Sequence, residues 1–560
     1  MGPSGAATLI NVLAGRIRQS RGSTAINELP CNFSRVGYVP QHEIIIPDLT
    51  VEENVLHSAR IRLGRLWDDR KIKSHVHGLI KYLGLESVKD QLVGSIESRG
   101  ISGGERKRAS IALEVVAMPQ AIILDEPTSG LDAKAAFSIM NLLQHLSSVG
   151  ITVICTIHQP RIEIFHLLND IMLLNNGETV YLGEAAKAAS YFSGLGVHFS
   201  KGCNPADVMI DMLVNQSLGL ENLVRAEDQS FFHSVDDGFI EERNQLKSTN
   251  SEKAHWAQQV FIYFVCGARQ QRRQLFSVAL ELATGAVAGL LIGISIYEHR
   301  GQLFQGYYRD SFEPLSSAVN YTLVPTVGLL SSLAISLAAV PAGIKMVAEE
   351  KLIFYQEIYS GHSASAYFIG KDLATWPRIL ISSLHFTTFY MILATSRIPF
   401  WTLFVLNTVY FFGEHFNNIL HWLMQWLTLE AMYGLASLVA SFVRRQDALL
   451  LSMLASLISG ILDGFGPRLD LVKSWHMQWL WYICPGTWYA EAFFTEHTVP
   501  FAYLYDIESA ADFVGYVTKR TSFDVGIIVL IGIAYRAFAY MGLTIPFTKT
   551  TLINSLAQSQ

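Results

Sequence analysis

Charged residues are scarce: Asp, Glu, Lys and Arg make up 16% of the 560 residues, against about a quarter in a typical soluble domain. Half of the residues are hydrophobic and the mean hydropathy is +0.28, which excludes an ordinary soluble protein. Neither sign of charge dominates, with 42 basic against 48 acidic side chains. The basic footprint of a nucleic-acid binder is missing, and no nucleic-acid partner is expected. Only five cysteines occur: Cys31, Cys155, Cys203, Cys266 and Cys484. They share no metal-ligand spacing and cannot all pair, so a disulfide framework is excluded. Four of them precede the first long apolar run, in sequence read as cytosolic, where thiols stay reduced. No cleavable signal peptide stands at the start. The first membrane helix is therefore expected to target the chain and to leave the preceding domain in the cytosol.

The apolar residues are unevenly placed. Residues 1 to about 250 alternate charged helical stretches with short apolar runs such as AIILDEP and ITVICTIH, the pattern of an α/β domain. From Leu275 onward long apolar stretches dominate. Spans are expected at Leu275–Tyr297, Tyr321–Ile344, Leu373–Ala394, Trp422–Val443, Ala448–Leu462 and Val525–Ile545, most of them reaching the ~20 residues that cross a bilayer. Phe400–Phe412 competes with the fourth, and the fifth is short. Arg269, Arg272, Arg273, Lys345, Lys351, Lys371, Arg444, Arg445 and Lys549 all fall on the cytosolic side if both termini do, as the positive-inside rule asks. Glu281, His385, Glu430 and Arg536 lie inside spans. Each is either a functional group or, the reading favoured here, a partner packed within the helix bundle.

The chemistry concentrates in the α/β half. ISGGERKR (Ile101–Arg108) is followed by IILDEPTSGLD (Ile122–Asp132), an apolar strand ending in Asp125 and Glu126. A strand end lets Asp125 hold Mg²⁺, directly or through water, while Glu126 orients or deprotonates an attacking water. The strand ITVICTI delivers His158, which in that position stabilises transition-state charge; alone it would read as a core histidine. YVPQ presents Gln41, an uncharged amide able to touch both Mg²⁺ and water. Ser102, Gly103 and Gly104 head a helix whose N–H groups and dipole form an anion site. GPSGA begins like a phosphate-cradling loop of the form G-x-x-x-x-G-K-[ST], with Gly2, Ser4, Gly5 and Thr8 as its candidate residues.

In this order the motifs resemble those of ABC transporters. YVPQ corresponds to the Q-loop, ISGGE to the signature, LDEP to Walker B with its glutamate, SGLD to the D-loop ending at Asp132, and IHQP (Ile157–Pro160) to the switch histidine. The nucleotide domain precedes the membrane domain, as in the G subfamily, the white/pleiotropic-drug-resistance type. LTVEENVLHSARIRL (Leu49–Leu63), NPADVMIDML (Asn204–Leu213), EEKLIFYQEIYSGHSASAYFIGKDLATWPRI (Glu349–Ile379) and WYICPGTWYAEAFF (Trp481–Phe494) are similar to that subfamily as well. The resemblance implies an α/β P-loop ATPase domain at 1–213, a polar linker at 214–257, and a connecting helix with an all-α six-span domain at 258–548. It implies ATP and Mg²⁺ as cofactors, with Asp125 and Gln41 at the metal and Glu126 and His158 in catalysis. Gly2, Ser4, Gly5, Thr8, Gln41, Ser102, Gly103, Gly104 and Asp132 are implied at the nucleotide. It further implies a half-transporter that pairs with a second half, as a homo- or heterodimer, within membrane lipid, with the plasma membrane as its location. ATP hydrolysis would drive export of lipophilic or amphipathic small molecules.

The phosphate loop departs from this pattern. GPSGA runs directly into Ala7 and Thr8, two residues short and without the lysine. The charge-assisted bonds of one such cation contribute roughly 1.5–3 kcal/mol. Only Met1 precedes Gly2, so the strand that carries the loop and the earlier strands are expected to be missing. A parallel sheet missing its central strand should be unstable, because the neighbouring strands lose ladder hydrogen bonds and apolar cover. Two readings stand. In one, the chain is a truncated form of a protein whose loop is intact; in the other, it is an ATPase-defective or regulatory half whose Ser102 signature completes a partner's site.

Overall fold

The computed structural model describes residues 5–17, 36–95, 100–214, 253–299, 304–316, 321–394, 431–462 and 467–545, except 176, 201 and 311, together with residues 21, 25–26 and 29–30. The chain divides into two compact units. One is Met1–Ile262 with Ile353–Tyr367 and Phe547–Gln560; the other is Tyr263–Leu352 with Phe368–Pro546.

Three short strands organise the first unit. β1 (Val36–Val39), β2 (Ala121–Leu124) and β3 (Thr152–Cys155) form a parallel sheet with β2 in the middle, running in register from Val36↔Ala121↔Thr152 to Val39↔Leu124↔Cys155. Every residue of β1 and β2 is buried, as expected of parallel strands covered on both faces. The pleat divides their side chains between two cores. Val36, Tyr38 and Ile123 join Ile10 of α1 (Gly5–Leu13). Val39, Ile122 and Leu124 join the larger core, which α2 (Val51–Leu63), α3 (Asp69–Tyr82), α4 (Gly103–Val115) and α5 (Ala133–Ser148) build from Val55, Val76, Ile111, Ile139 and their neighbours. β3 is less covered, with Thr152 exposed and Val153–Cys155 half-buried. The expected loss of apolar cover is thus confined to one edge, and the central strand β2 is intact.

The helices begin where their sequences say. α2 opens on a capping box in which Thr50 accepts from the Glu53 N–H and Glu53 Oε2 accepts from the Thr50 N–H at 2.9 Å. α4 repeats the device with Ser102 and Glu105. Each box satisfies two backbone donors that a helix start leaves open.

A segment far along the chain completes this unit. From Ile353–Tyr367, Gln356 Nε2 donates to the Tyr38 carbonyl (3.0 Å) and to Glu114 Oε1 (3.1 Å), and Ser360 Oγ donates to the same oxygen (3.1 Å). The other Glu114 oxygen accepts from Arg62 Nη1 at 3.0 Å. Gly37 permits this approach of α4 to β1, since a Cβ there would lie 3.1 Å from the Glu114 Cβ. Glu357 sits between two imidazoles, with His57 Nε2 3.4 Å from Oε1 and His362 Nδ1 3.2 Å from Oε2. These groups and Asn54 and Ser58 line a cavity of about 40 Å³, room for a water or two.

In the second unit and its continuation, Leu275–Ser295, Leu323–Tyr359, Arg445–Leu462 and Thr521–Thr544 are long and apolar enough to cross a membrane. The first α-helical part of the second, Leu323–Ile344, reaches about 33 Å at ~1.5 Å per residue, enough for the ~30 Å of hydrocarbon. The third expected span lies inside helix Ala364–Ala394, where Arg378, Ser382, Ser383, His385, Thr387 and Thr388 dilute the apolar run. Of the fourth, residues 422–430 lie outside the described residues, as do Glu430 and Phe400–Phe412; the rest is the apolar helix Ala431–Phe442. The buried charges are paired. Arg378 Nε donates to Glu281 Oε2 (2.6 Å) and the Tyr433 hydroxyl to Glu281 Oε1 (2.7 Å). Arg378 also reaches Gln271 (3.1 Å) and Ser277 (3.2 Å). Arg536 pairs with Asp372, and His385 packs its ring edge-on to Phe389.

Two outcomes are expected. Arg378→Ala leaves Glu281 as an uncompensated buried charge and should destabilise the membrane unit by about 3–5 kcal/mol, whereas replacing both partners with apolar residues should cost less; thermal unfolding in detergent of the two variants compares them. The second concerns His362. Burial pushes its pKa below 6.5, more strongly than Glu357 raises it. A histidine depressed in the folded state takes up its proton more readily once unfolded, so its contribution is complete above pH ~6.5 and is lost as pH falls below it. The unfolding midpoint of the first unit should drop between pH 7 and pH 5, and His362→Gln should flatten that drop.

Candidate functional site

Three strand ends meet at one level. β2 runs into Asp125, whose N–H donates to the Val39 carbonyl (2.9 Å), and the Thr156 N–H donates to the Leu124 carbonyl (3.1 Å). Pairing thus continues one residue past each strand and fixes the positions of Asp125 and Thr156. Ligands of open parallel sheets bind at this carboxyl edge.

Asp125 is held from both sides. Thr156 Oγ1 donates to Oδ1 at 2.9 Å, and the Tyr38 hydroxyl donates to Oδ2 at a longer 3.4 Å. Burial raises the Tyr38 pKa, so its hydroxyl stays a donor across the physiological range. Thr156 Oγ1 also accepts from the Glu126 N–H (3.0 Å) and so locks both acidic residues. Glu126 has φ +44, a left-handed backbone conformation that costs on the order of 1–3 kcal/mol in a non-glycine residue and persists where the surroundings impose it. Its Oε2 accepts from Gln41 Nε2 (2.8 Å), and its Oε1 lies 3.1 Å from His158 Nε2. His158 is 72% exposed against 22% for Glu126, so its ring stands open to whatever occupies the edge. Cys155, immediately before Thr156, is half-buried, and desolvation lifts its thiol to about 11, which makes it inert.

The structure therefore brings together Gln41, Asp125, Glu126 and His158, all chosen from sequence. Ser102, Gly103, Gly104 and Asp132 form a separate group. A Cβ on Gly103 would lie 3.6 Å from the Leu131 side chain, and one on Gly104 3.3 Å from Ala135. The start of α4 thus rests on the turn at Asp132, the N-cap residue of α5. Within it, Ser102 N and Oγ both donate to Glu105 Oε2, at 2.8 and 2.7 Å. Gly5 and Thr8 are exposed on α1; Gly2 and Ser4 lie outside the described residues. Sequence reasoning passed over Tyr38 and Thr156. Both sit inside quoted motifs, YVPQ and ITVICTIH, but their roles come from cross-strand register, which the motifs do not display.

Among the described residues no group of three or more His, Cys, Asp and Glu can hold a metal ion by itself. Asp125 and Gln41 offer oxygens enough for part of a shell, so an ion here needs oxygens from its ligand. That suits Mg²⁺, which takes one or two carboxylates and completes its octahedron from phosphates and water.

Comparison with known proteins agrees with this layout. Residues 1–129 match the family model described as ABC transporter, and residues 158–231 and 258–495 match two models described as ABC-2 type transporter. The chain is 44% identical over 519 residues to the ABC-type transporter claG of Penicillium crustosum, covering 91% of this chain and 66% of that protein. It is 33% identical over 339 residues to ABC transporter G family member 22 of Arabidopsis thaliana, covering 52% and 45%. To the broad substrate specificity ATP-binding cassette transporter ABCG2 of Rattus norvegicus it is 31% identical over 434 residues, covering 71% and 64%. The chain thus spans less than two thirds of the length of these curated relatives. With an α/β unit whose strand ends carry Gln41, Asp125, Glu126 and His158, followed by a unit of apolar helices, the chain belongs to the G family of ABC transporters.

Proposed function

We propose that the chain is one half of an ATP-driven exporter of lipophilic or amphipathic molecules, working with a second half-transporter in the plasma membrane and keeping its α/β unit in the cytosol. The observation that carries this is the convergence of Gln41, Asp125, Glu126 and His158 on one sheet edge, with Glu126 held by both Gln41 and His158. Glu126 orients the attacking water and accepts its proton. His158 stabilises charge that develops on the transferred phosphoryl group. Asp125, aimed by Thr156 and Tyr38, and Gln41 hold Mg²⁺, which when bound neutralises charge on the phosphate oxygens. Gly2, Ser4, Gly5 and Thr8 supply the phosphate cradle. Ser102, Gly103, Gly104 and Asp132, set apart from the Glu126 cluster, serve the nucleotide held mainly by the partner half.

A second reading has its own observation. The chain carries no lysine before Lys71, so the cradle has no lysine to reach the phosphates. On that reading this half supplies its signature to the partner's site and its own site is silent. Reconstituted full-length complex distinguishes the two. On the main reading Glu126→Gln lowers the turnover of this chain's site by at least about 100-fold, the lower range for loss of a general base. Unchanged ATPase activity with Glu126→Gln, combined with a loss on Ser102→Glu, would leave only the second reading.

A further inference from the structure

The Arg16 guanidinium stands between two aromatic rings from distant parts of the first unit. Its carbon lies 3.8 Å over the centre of the Tyr38 ring and 4.9 Å from that of Tyr359. The same guanidinium donates to Gln356 Oε1, while Gln356 Nε2 donates to the Tyr38 carbonyl. Arg16 follows the end of α1, the helix that starts at the phosphate loop; Tyr38 is in β1; Gln356 and Tyr359 belong to the segment Ile353–Tyr367, which in the chain follows the apolar α-helix Leu323–Ile344. Tyr38 in turn places its hydroxyl on the Asp125 carboxylate. One residue therefore meets that segment through its main chain and the acidic strand end through its side chain, and Arg16 fixes the ring between them.

We propose that Arg16 is a positioning residue for the metal-holding carboxylate: it clamps Ile353–Tyr367 to the Tyr38 ring and so sets the hydroxyl that aims Asp125. The physics favours arginine specifically. A planar guanidinium stacks on two rings while its edge donates a hydrogen bond, a combination that the point charge of lysine cannot reproduce. A half-buried guanidinium relies on these partners to offset its lost hydration, so Arg16 does not leave the Tyr38 ring without cost. A shift of Gln356 and Tyr359 accordingly moves Arg16, then the ring, then the second of the two donors on Asp125. The first donor, Thr156, follows the end of β3 and takes no part. The assignment rests on the reading of Asp125 as a metal-holding group, and its test requires no turnover.

The full-length protein in lipid nanodiscs is compared as wild type, Arg16→Lys, Tyr38→Phe and the double variant. Hydrogen exchange of amides 353–363 is read without nucleotide, and Mn²⁺ affinity is read by electron paramagnetic resonance with a non-hydrolysable ATP analogue. Arg16→Lys should speed exchange in that segment about tenfold, the loss of one good stacking contact or more, and weaken Mn²⁺ several-fold. Tyr38→Phe keeps the ring, so it should weaken Mn²⁺ to a similar degree and leave exchange unchanged. The double variant should be no worse for Mn²⁺ than Arg16→Lys alone. Faster exchange with unchanged Mn²⁺ affinity in Arg16→Lys would reduce Arg16 to a structural pin and overturn the proposal. Wild-type exchange in that variant, or a wild type that binds no Mn²⁺ with the analogue, overturns it too. A wild type that binds Mn²⁺ but hydrolyses no ATP would instead sink the proposed own-site activity and leave this assignment standing.

Discussion

The hydrogen bonds from Asp125 N–H to the Val39 carbonyl and from Thr156 N–H to the Leu124 carbonyl set the geometry on which the α/β unit turns. They extend a parallel ladder by one residue beyond strands of only four. A slip of one residue in either pairing would send alternate side chains to the other face. Tyr38 would leave α1, and Thr156 would no longer lie between Asp125 and Glu126. The buried runs VGYV and AIIL make such a slip expensive, because both faces of each strand are already covered. Precision at the polar edge is thus borrowed from apolar packing behind it, and Glu126 can be held at a positive φ because its neighbours leave it no alternative.

Much of this was legible in the sequence. The acidic strand end, the histidine after the next strand and the glutamine before α2 are short-range patterns, and so are the capping boxes at Thr50 and Ser102. Apolar length gave the helices at Leu275, Leu323, Arg445 and Thr521 to within a few residues. What escaped are contacts between residues far apart in the chain. Nothing in GYVPQ tells that Gln356 will donate to its tyrosine carbonyl, and nothing in LAGR tells that Arg16 will stack on that ring. Glu114 sits unremarked in a helix, yet it gathers Arg62, Gln356 and Ser360. Two of those partners come from a segment more than two hundred residues away.

The membrane unit shows the same limit from another side. Polar side chains within apolar runs announce themselves by composition, but whether they serve function or packing depends on partners that composition does not name. Glu281 finds Arg378 and Tyr433, and Arg536 finds Asp372. Each pair joins helices that would otherwise meet through hydrocarbon-like surfaces with little to choose between orientations. In a lipid medium such directional contacts select one packing over others that bury equal apolar area.

The dependence of the first unit on Ile353–Tyr367 bears on how the protein is made. The helix Pro205–Val214 of that unit's main block leaves the ribosome long before Gln356 does. At roughly 5–20 residues per second, the delay is on the order of ten seconds. During that interval the Tyr38 carbonyl lacks Gln356, Glu114 Oε1 lacks Gln356 and Ser360, and the Arg16 guanidinium lacks Gln356 and Tyr359. Two apolar helices, Leu275–Ser295 and Leu323–Ile344, are synthesised in the meantime. Completion of the α/β unit therefore waits until both of these apolar helices have been synthesised.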